Sequence, residues 1–291
     1  MTRPGSGTRL PAMSAPVDPL ATFAPNFLRG RTVLITGGGR GLGRCMALTF
    51  ARFGADVIIA GRHPDNLDPT RKEIEDLGAG CLAWPTNIRE IDQVESLLEA
   101  SLDRFGQIDF LVNNAGGQFP ARPTEISDRG WRSVIDLNLN GTWNMCNRVG
   151  RHMLERGFGA IVNVVHIYSF ERGSPWFAHS GAARAGVVSL TRSLAYHWSR
   201  HGVTVNALAP GMVATRGLRE EEFAYADQDD YESIVIRDIP SHRLAEPEEV
   251  AAVVLFLCSP SARFINGAAV IADGAQYLGP WTDMHDPEAP I

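Results

Sequence analysis

The stretch Thr36-Gly37-Gly38-Gly39-Arg40-Gly41-Leu42-Gly43 constrains this chain more than any other. An apolar run, Val33-Leu34-Ile35, leads into it, and an apolar-periodic segment, Cys45-Met46-Ala47-Leu48-Thr49-Phe50, leads out. Strand, glycine turn and helix is the context that gives such a motif meaning. Glycine lets the backbone turn tightly and approach a ligand that a Cβ would exclude. The helix that follows offers unpaired N–H groups and a positive dipole end to a pyrophosphate. Gly37, Gly39, Arg40, Gly41, Leu42 and Gly43 are therefore candidate cofactor-binding residues.

The rest of the chain repeats this alternation. Strands are expected at Val33–Thr36, Asp56–Ala60, Cys81–Trp84, Phe110–Asn113, Ala160–Val165, Val203–Ala207 and Ala268–Ala272. Helices are expected at Gly41–Phe53, Leu67–Leu77, Gln93–Phe105, Trp131–Arg156, Gly181–Arg200 and Pro247–Cys258. Alternating strands and helices imply βαβ crossovers and an α/β fold with a doubly wound parallel sheet. The strands read as near-continuous apolar runs, which fits burial on both faces. A chain of 291 residues, 44% hydrophobic, can close one core, and no linker divides it. Residues 1–28, rich in Pro, Ser, Thr and Gly, read as a flexible lead-in. One domain is expected over 29–280, followed by a tail at 281–291. Within it, residues 216–242 lack a clean period and carry Glu220-Glu221-Glu222 and Asp227-Gln228-Asp229-Asp230. A segment of that length past a strand's carboxyl end reads as a substrate loop.

The second strand decides which dinucleotide fits. An acidic residue at its end would hold the 2′-hydroxyl of NAD, whereas an arginine suits the 2′-phosphate of NADP. Here the strand ends Ala60-Gly61-Arg62-His63. Arg62 with Arg40 favours NADP(H), because guanidinium binds phosphate bidentately. Asn87 and Ile88 follow the third strand, where adenine is expected. Asn114, Ala115 and Gly116 follow the fourth. Pro210, Gly211, Val213 and Thr215 follow the sixth, beside the expected nicotinamide.

Composition excludes other classes. A net charge of −6 argues against a nucleic-acid binder. No apolar run reaches the ~20 residues of a membrane span. Cys45, Cys81, Cys146 and Cys258 are scattered, which suggests neither disulfides nor a zinc site. A reduced, cytoplasmic protein acting on a small molecule is the expectation.

The glycine loop, Asn113-Asn114-Ala115-Gly116, Asn138 in Asn138-Leu139-Asn140-Gly141, and Pro210-Gly211 together resemble the short-chain dehydrogenase/reductase family. The resemblance spans about residues 30–275. It implies a single-domain Rossmann fold, NAD(P)H-dependent hydride transfer, and a homotetramer or homodimer. The family's usual engine is a Ser followed by Tyr-x-x-x-Lys. This chain departs from it, because its only lysine is Lys72. The matching segment, His179-Ser180-Gly181-Ala182-Ala183-Arg184-Ala185-Gly186, puts Ser180 at the Tyr position and Arg184 at the Lys position. His166 falls near the usual Ser.

A guanidinium stays charged and cannot relay a proton. Conjugate reduction tolerates that loss, since it needs donors aimed at a developing oxyanion. The departures are similar to the 2,4-dienoyl-CoA reductase and peroxisomal trans-2-enoyl-CoA reductase branch. There a tyrosine two positions past the usual Ser bonds the substrate, which implicates Tyr168. Gln118-Phe119 is a candidate acyl-pocket wall. The implied catalytic set is Tyr168, Ser180, Asn138 and Arg184, with Arg184 also on the cofactor ribose. His166 and His179 read as structural rather than as general acids. Two alternatives stay open: a carbonyl or alcohol oxidoreductase on a non-CoA metabolite, and an inactive cofactor-binding homologue.

Overall fold

A computed structural model describes residues 18–170, 172–173, 176–215, 217–218 and 231–279. Seven parallel strands form one sheet in the order β3-β2-β1-β4-β5-β6-β7. They are β1 (Thr32–Thr36), β2 (Asp56–Gly61), β3 (Cys81–Pro85), β4 (Phe110–Asn113), β5 (Gly159–Val164), β6 (Val203–Pro210) and β7 (Ala269–Ala272). The helices are α1 (Gly41–Arg52), α2 (Pro64–Asp76), α3 (Ile91–Phe105), α4 (Asp128–Ile135), α5 (Gly141–Arg156), α6 (Ala178–Trp198), α7 (Tyr231–Asp238) and α8 (Pro247–Leu257). This is the Rossmann arrangement: strand order reverses between β1 and β4, and ligands bind outside the carboxyl ends at such a switch point.

The strand pattern explains the layers. Val33 and Ile35 face one core, shared with Met46 and Phe50 of α1 and Val250 and Val254 of α8. Leu34, between them, faces the other, with Val94 and Leu97 of α3 and Met145 and Val149 of α5. Period-2 alternation with both faces apolar is what a sheet sandwiched between helices requires. Register then aligns the carboxyl ends, with Thr36 opposite Asn113, Asn113 opposite Asn163, and Asn163 opposite Ala207.

Four differences from the sequence reading have physical causes. First, residues 18–28 are packed rather than loose. Leu20 and Leu28 are buried, and Phe23 stacks on Phe27 at 5.6 Å, with both rings against Phe53. Second, the stretch expected as one helix over Trp131–Arg156 is three pieces. A π-helical turn, Asp136–Asn140, joins α4 to α5, and such turns concentrate at functional sites. Third, part of the aperiodic 216–242 segment is ordered: α7 sets Val235 and Ile239 against Leu218 and Leu244 in a small core of its own. Fourth, α2 begins at Pro64, where a proline suits the first helical turn. The acidic runs at 220–222 and 227–230, Arg216, Arg219, residues 1–17 and the tail at 281–291 lie outside the described residues.

Candidate active site

At the β1–α1 turn, packing forces the glycines. Gly37 has φ +68°, and a Cβ there would come within 2.9 Å of Asn114 Nδ2. A Cβ on Gly39 would meet Asn66 O at 2.6 Å, and one on Gly43 would collide with Gly37 O. Gly41 differs: its φ is +52°, and a Cβ would meet nothing within 4 Å. That open space lies at the start of α1, whose first turn has no acidic residue and no side-chain cap. Thr36 ties the turn to β4, since its Oγ1 accepts from Asn114 N and Ala115 N, each at 3.0 Å. Asn114 Nδ2 donates back to Thr36 O at 3.0 Å. The space, the unpaired N–H groups and the rigid frame fit a bound pyrophosphate.

Arg40 and Arg62 are exposed at the ends of adjacent elements, as N-cap of α1 and just past β2. Arg62 makes no hydrogen bond or ion pair among the described residues. The adenine expectation changes in one respect. The Ile88 side chain is buried beneath Gly141, and Ile88 O accepts from Asn144 Nδ2 at 3.0 Å. Asn87 Oδ1 accepts from Arg89 Nε at 3.1 Å. Ile88 thus does not offer its side chain to a ligand. β6 runs on through Pro210, and Gly211 N donates to Ala272 O at 3.0 Å. Val213 bridges to Ala245, and Thr215 Oγ1 accepts from Leu218 N at 3.2 Å, so this turn is stitched to the small α7 core.

The start of α6 carries two of the expected site residues. Ser180 and Arg184 are four apart, which places them on one helical face. Arg184 Nη1 donates to Val164 O, at the end of β5. Its Nη2 lies against Gly116, where a Cβ would collide with it. Its Nε is shut off from solvent without a partner, and no carboxylate pairs with Arg184 among the described residues. Burial pulls the guanidinium down to about 10, still charged at neutral pH. A desolvated donor without an acceptor costs free energy until a ligand supplies one, which fits a hydroxyl-bearing ribose.

Asn138 is fully buried in the π-helical turn. Its Nδ2 donates to Gly117 O at 2.8 Å and to Val134 O at 2.9 Å, and its Oδ1 accepts from Gly117 N at 3.3 Å. Expected to supply or support the donors to substrate, Asn138 has both amide hydrogens committed to backbone. It holds the Gly116–Gly117 turn against Arg184. Tyr168 is half-buried in a short helical turn after β5, its ring 5.7 Å from the His166 ring and edge-on. Phe119 lies edge-on to the buried His179 at 4.5 Å, and Ala121 N bonds Trp176 O at 2.9 Å.

His166 belongs to the site although the sequence reading set it aside. Its Nε2 lies 3.2 Å from Ser180 Oγ, and its Nδ1 lies 3.2 Å from Ser169 Oγ. Burial first, then the Arg184 charge, hold its pKa down at about 4. The only sequence signal was its position at the family's usual Ser, a site for a hydrogen-bonding group.

The chain matches the family model described as Enoyl-(Acyl carrier protein) reductase over residues 37–275. It is 35% identical to a Bacillus subtilis (strain 168) protein named as a probable 2,4-dienoyl-CoA reductase, covering 86% of this chain and 98% of that one. It is likewise 35% identical to the peroxisomal 2,4-dienoyl-CoA reductase of Pongo abelii, over 88% of this chain and 87% of that one. A solved short-chain dehydrogenase from Bacillus anthracis superposes with a TM-score of 0.81 at 36% identity, covering 87% and 99% of the two chains.

Proposed function

This chain belongs to the short-chain dehydrogenase/reductase family, and from that premise we propose that it is an NADPH-dependent reductase of the C=C bond in an enoyl- or dienoyl-thioester. The Ser180–Arg184 face carries the reading. Carbonyl reduction by this family's usual route needs a tyrosine acid beside a titratable lysine, and here stand a serine and a guanidinium. The relatives named as 2,4-dienoyl-CoA reductases point the same way.

When bound, NADPH supplies the hydride. The chain's residues do the rest. The Gly41 space and the α1 amino end take the pyrophosphate, and Arg40 and Arg62 take the 2′-phosphate. Arg184 holds the ribose with its unpaired Nε and fixes Gly116. As hydride adds to the substrate's β or δ carbon, charge develops on the thioester oxygen, and a proton drawn from solvent then adds at carbon to complete the reduction. Tyr168 and Ser180 aim hydroxyl hydrogens at that oxygen, in a pocket walled by Phe119. Desolvated, prepositioned donors are worth far more there than in water. Trp131, Trp143 and Tyr196 stay exposed on α4, α5 and α6, which supports a homotetramer or homodimer built on those helices. Among the described residues no helix is long and apolar enough to cross a membrane.

The test is anaerobic NADPH oxidation with 2-enoyl-CoA, 2,4-dienoyl-CoA and simple ketones, run on the wild type and Tyr168→Phe. Thioester turnover, cut by about 10²-fold in the variant, is expected. Turnover of ketones alone would sink the reading.

A further inference from the structure

We infer that Ser169, His166 and Ser180 form a directed hydrogen-bond relay that turns the Ser180 hydroxyl outward as the donor to the ligand's acceptor oxygen. His166 is a positioning residue in it. Ser169 Oγ is buried and accepts from His166 N at 3.4 Å. Its own hydrogen has one acceptor among the described residues, His166 Nδ1 at 3.2 Å. With Nδ1 accepting, the neutral ring carries its proton on Nε2. Nε2 therefore donates to Ser180 Oγ at 3.2 Å. That fills an acceptor site of Ser180 and leaves its hydrogen free.

The opposite tautomer would reverse each bond. Ser180 would then donate to Nε2 and have nothing to give a ligand, while the Ser169 hydrogen would be buried with no acceptor. Such an orphan costs about 1–3 kcal/mol, and Ser169, 3% exposed, is closed to a ligand that could relieve it. In the inferred direction the unpaired hydrogen sits on Ser180, where an incoming oxygen satisfies it. Ser180 is 1% exposed, so that donor is already desolvated. Among the described residues, two charged or titratable groups face the ring: Arg184 from α6 and Tyr168 from its own turn. The Arg184 charge disfavours the imidazolium, which keeps the ring neutral and the relay directed.

The relay rests on the thioester reading only for which oxygen accepts, so the two are tested separately. The first readout is the imidazole ¹⁵N spectrum of histidine-labelled protein, with His166 assigned by its loss in His166→Gln. An Nε2–H tautomer is expected; Nδ1–H overturns the relay whatever the substrate. The second is kinetic. His166→Leu should lower kcat about tenfold, the worth of one hydrogen bond, with KM little changed. His166→Gln, whose amide nitrogen replaces Nε2–H, should restore most of that loss. In a Ser180→Ala background His166→Leu should cost nothing further. An equal loss in that background, or no rescue by Gln, overturns the relay. Absent thioester turnover with an Nε2–H ring would refute the substrate reading and leave the relay standing.

Discussion

Two charged groups are enclosed at opposite edges of the same sheet, and they are treated in opposite ways. Asp109, just before β4, is wholly buried. It accepts from Thr32 N at 2.9 Å, Arg156 Nη2 at 3.1 Å and Arg31 Nη1 at 3.2 Å. Arg31 in turn lies 4.4 Å over the Phe158 ring. Among the described residues Arg184, at the carboxyl edge, makes one hydrogen bond, to a backbone carbonyl, and leaves Nε orphaned. The difference separates a charge that holds the fold from one held in readiness. A satisfied buried charge is expensive to break, whereas an unsatisfied one is a cost the fold carries for a ligand.

The largest effect expected is from Arg184→Met. Without the group that packs on Gly116 and is proposed to meet the ribose, kcat/KM should fall by about 10³-fold or more. The ligand-free protein should nonetheless gain about 1 kcal/mol, because a desolvated charge is replaced by an apolar side chain. Thermal melting of the ligand-free variant reads the second effect, and a lower Tm would refute it. Asp109→Ala inverts the pattern. It should cost about 3 kcal/mol of stability, since Thr32 N and two guanidinium groups lose their acceptor. Below its new Tm, kcat/KM should stay within about twofold of wild type. If Asp109→Ala damaged catalysis while Arg184→Met spared it, the comparison would be reversed.

His166 makes the Arg184 edge sensitive to acid. Its folded pKa is lowered to about 4, against about 6.5 for an unperturbed histidine. As pH falls below 6.5, the unfolded chain takes up a proton that the folded chain refuses until about pH 4. Stability is therefore lost through that window, on the order of 2–3 kcal/mol for this residue. Burial shifts His152 and His179 in the same direction. Urea unfolding at pH 7 and pH 5 should show the loss, and His166→Gln should recover part of it. An equal loss in that variant would assign the effect to the other histidines.

What the sequence disclosed and what it hid follow the same division. Periodicity is local, so the seven strands, the glycine turn and the Arg62 position were legible from runs of a few residues. The pairing of Ser180 with Arg184 was legible through the family's Tyr-x-x-x-Lys register, although the helix expected from Gly181 begins at Ala178 and takes in Ser180 as well. The packing of residues 18–28 was missed, although Leu20, Phe23, Phe27 and Leu28 carry a helix-like spacing, because Pro and Ser dominate the composition before them. The π-helical turn at Asp136–Asn140 was hidden because one extra residue leaves the apolar pattern nearly intact. The His166–Ser180 contact was out of reach. It joins the turn after β5 to the start of α6, 14 residues on, and no pattern in either announces the other. Orphaned groups such as Arg184 Nε are invisible for a deeper reason: sequence shows which donors exist, not which acceptors are missing.

The smallest effect expected concerns a third arginine, and it tests whether exposure sets a charge's worth. Arg62 has no partner among the described residues, as Arg184 has no carboxylate, but it stands in water. The proposed contact of Arg62 with the 2′-phosphate must replace hydration, so it is worth little and is screened by salt. Arg62→Asp should raise KM for NADPH about tenfold, roughly 1.4 kcal/mol, and lower it for NADH, with kcat for NADPH nearly unchanged. The NADPH penalty should shrink from low to high salt. Arg184→Met, acting on a ribose common to both cofactors, should impair NADPH and NADH alike with little salt dependence. If Arg62→Asp left the preference for NADPH intact, the 2′-phosphate would be held elsewhere, and Arg40 would be the residue to change next.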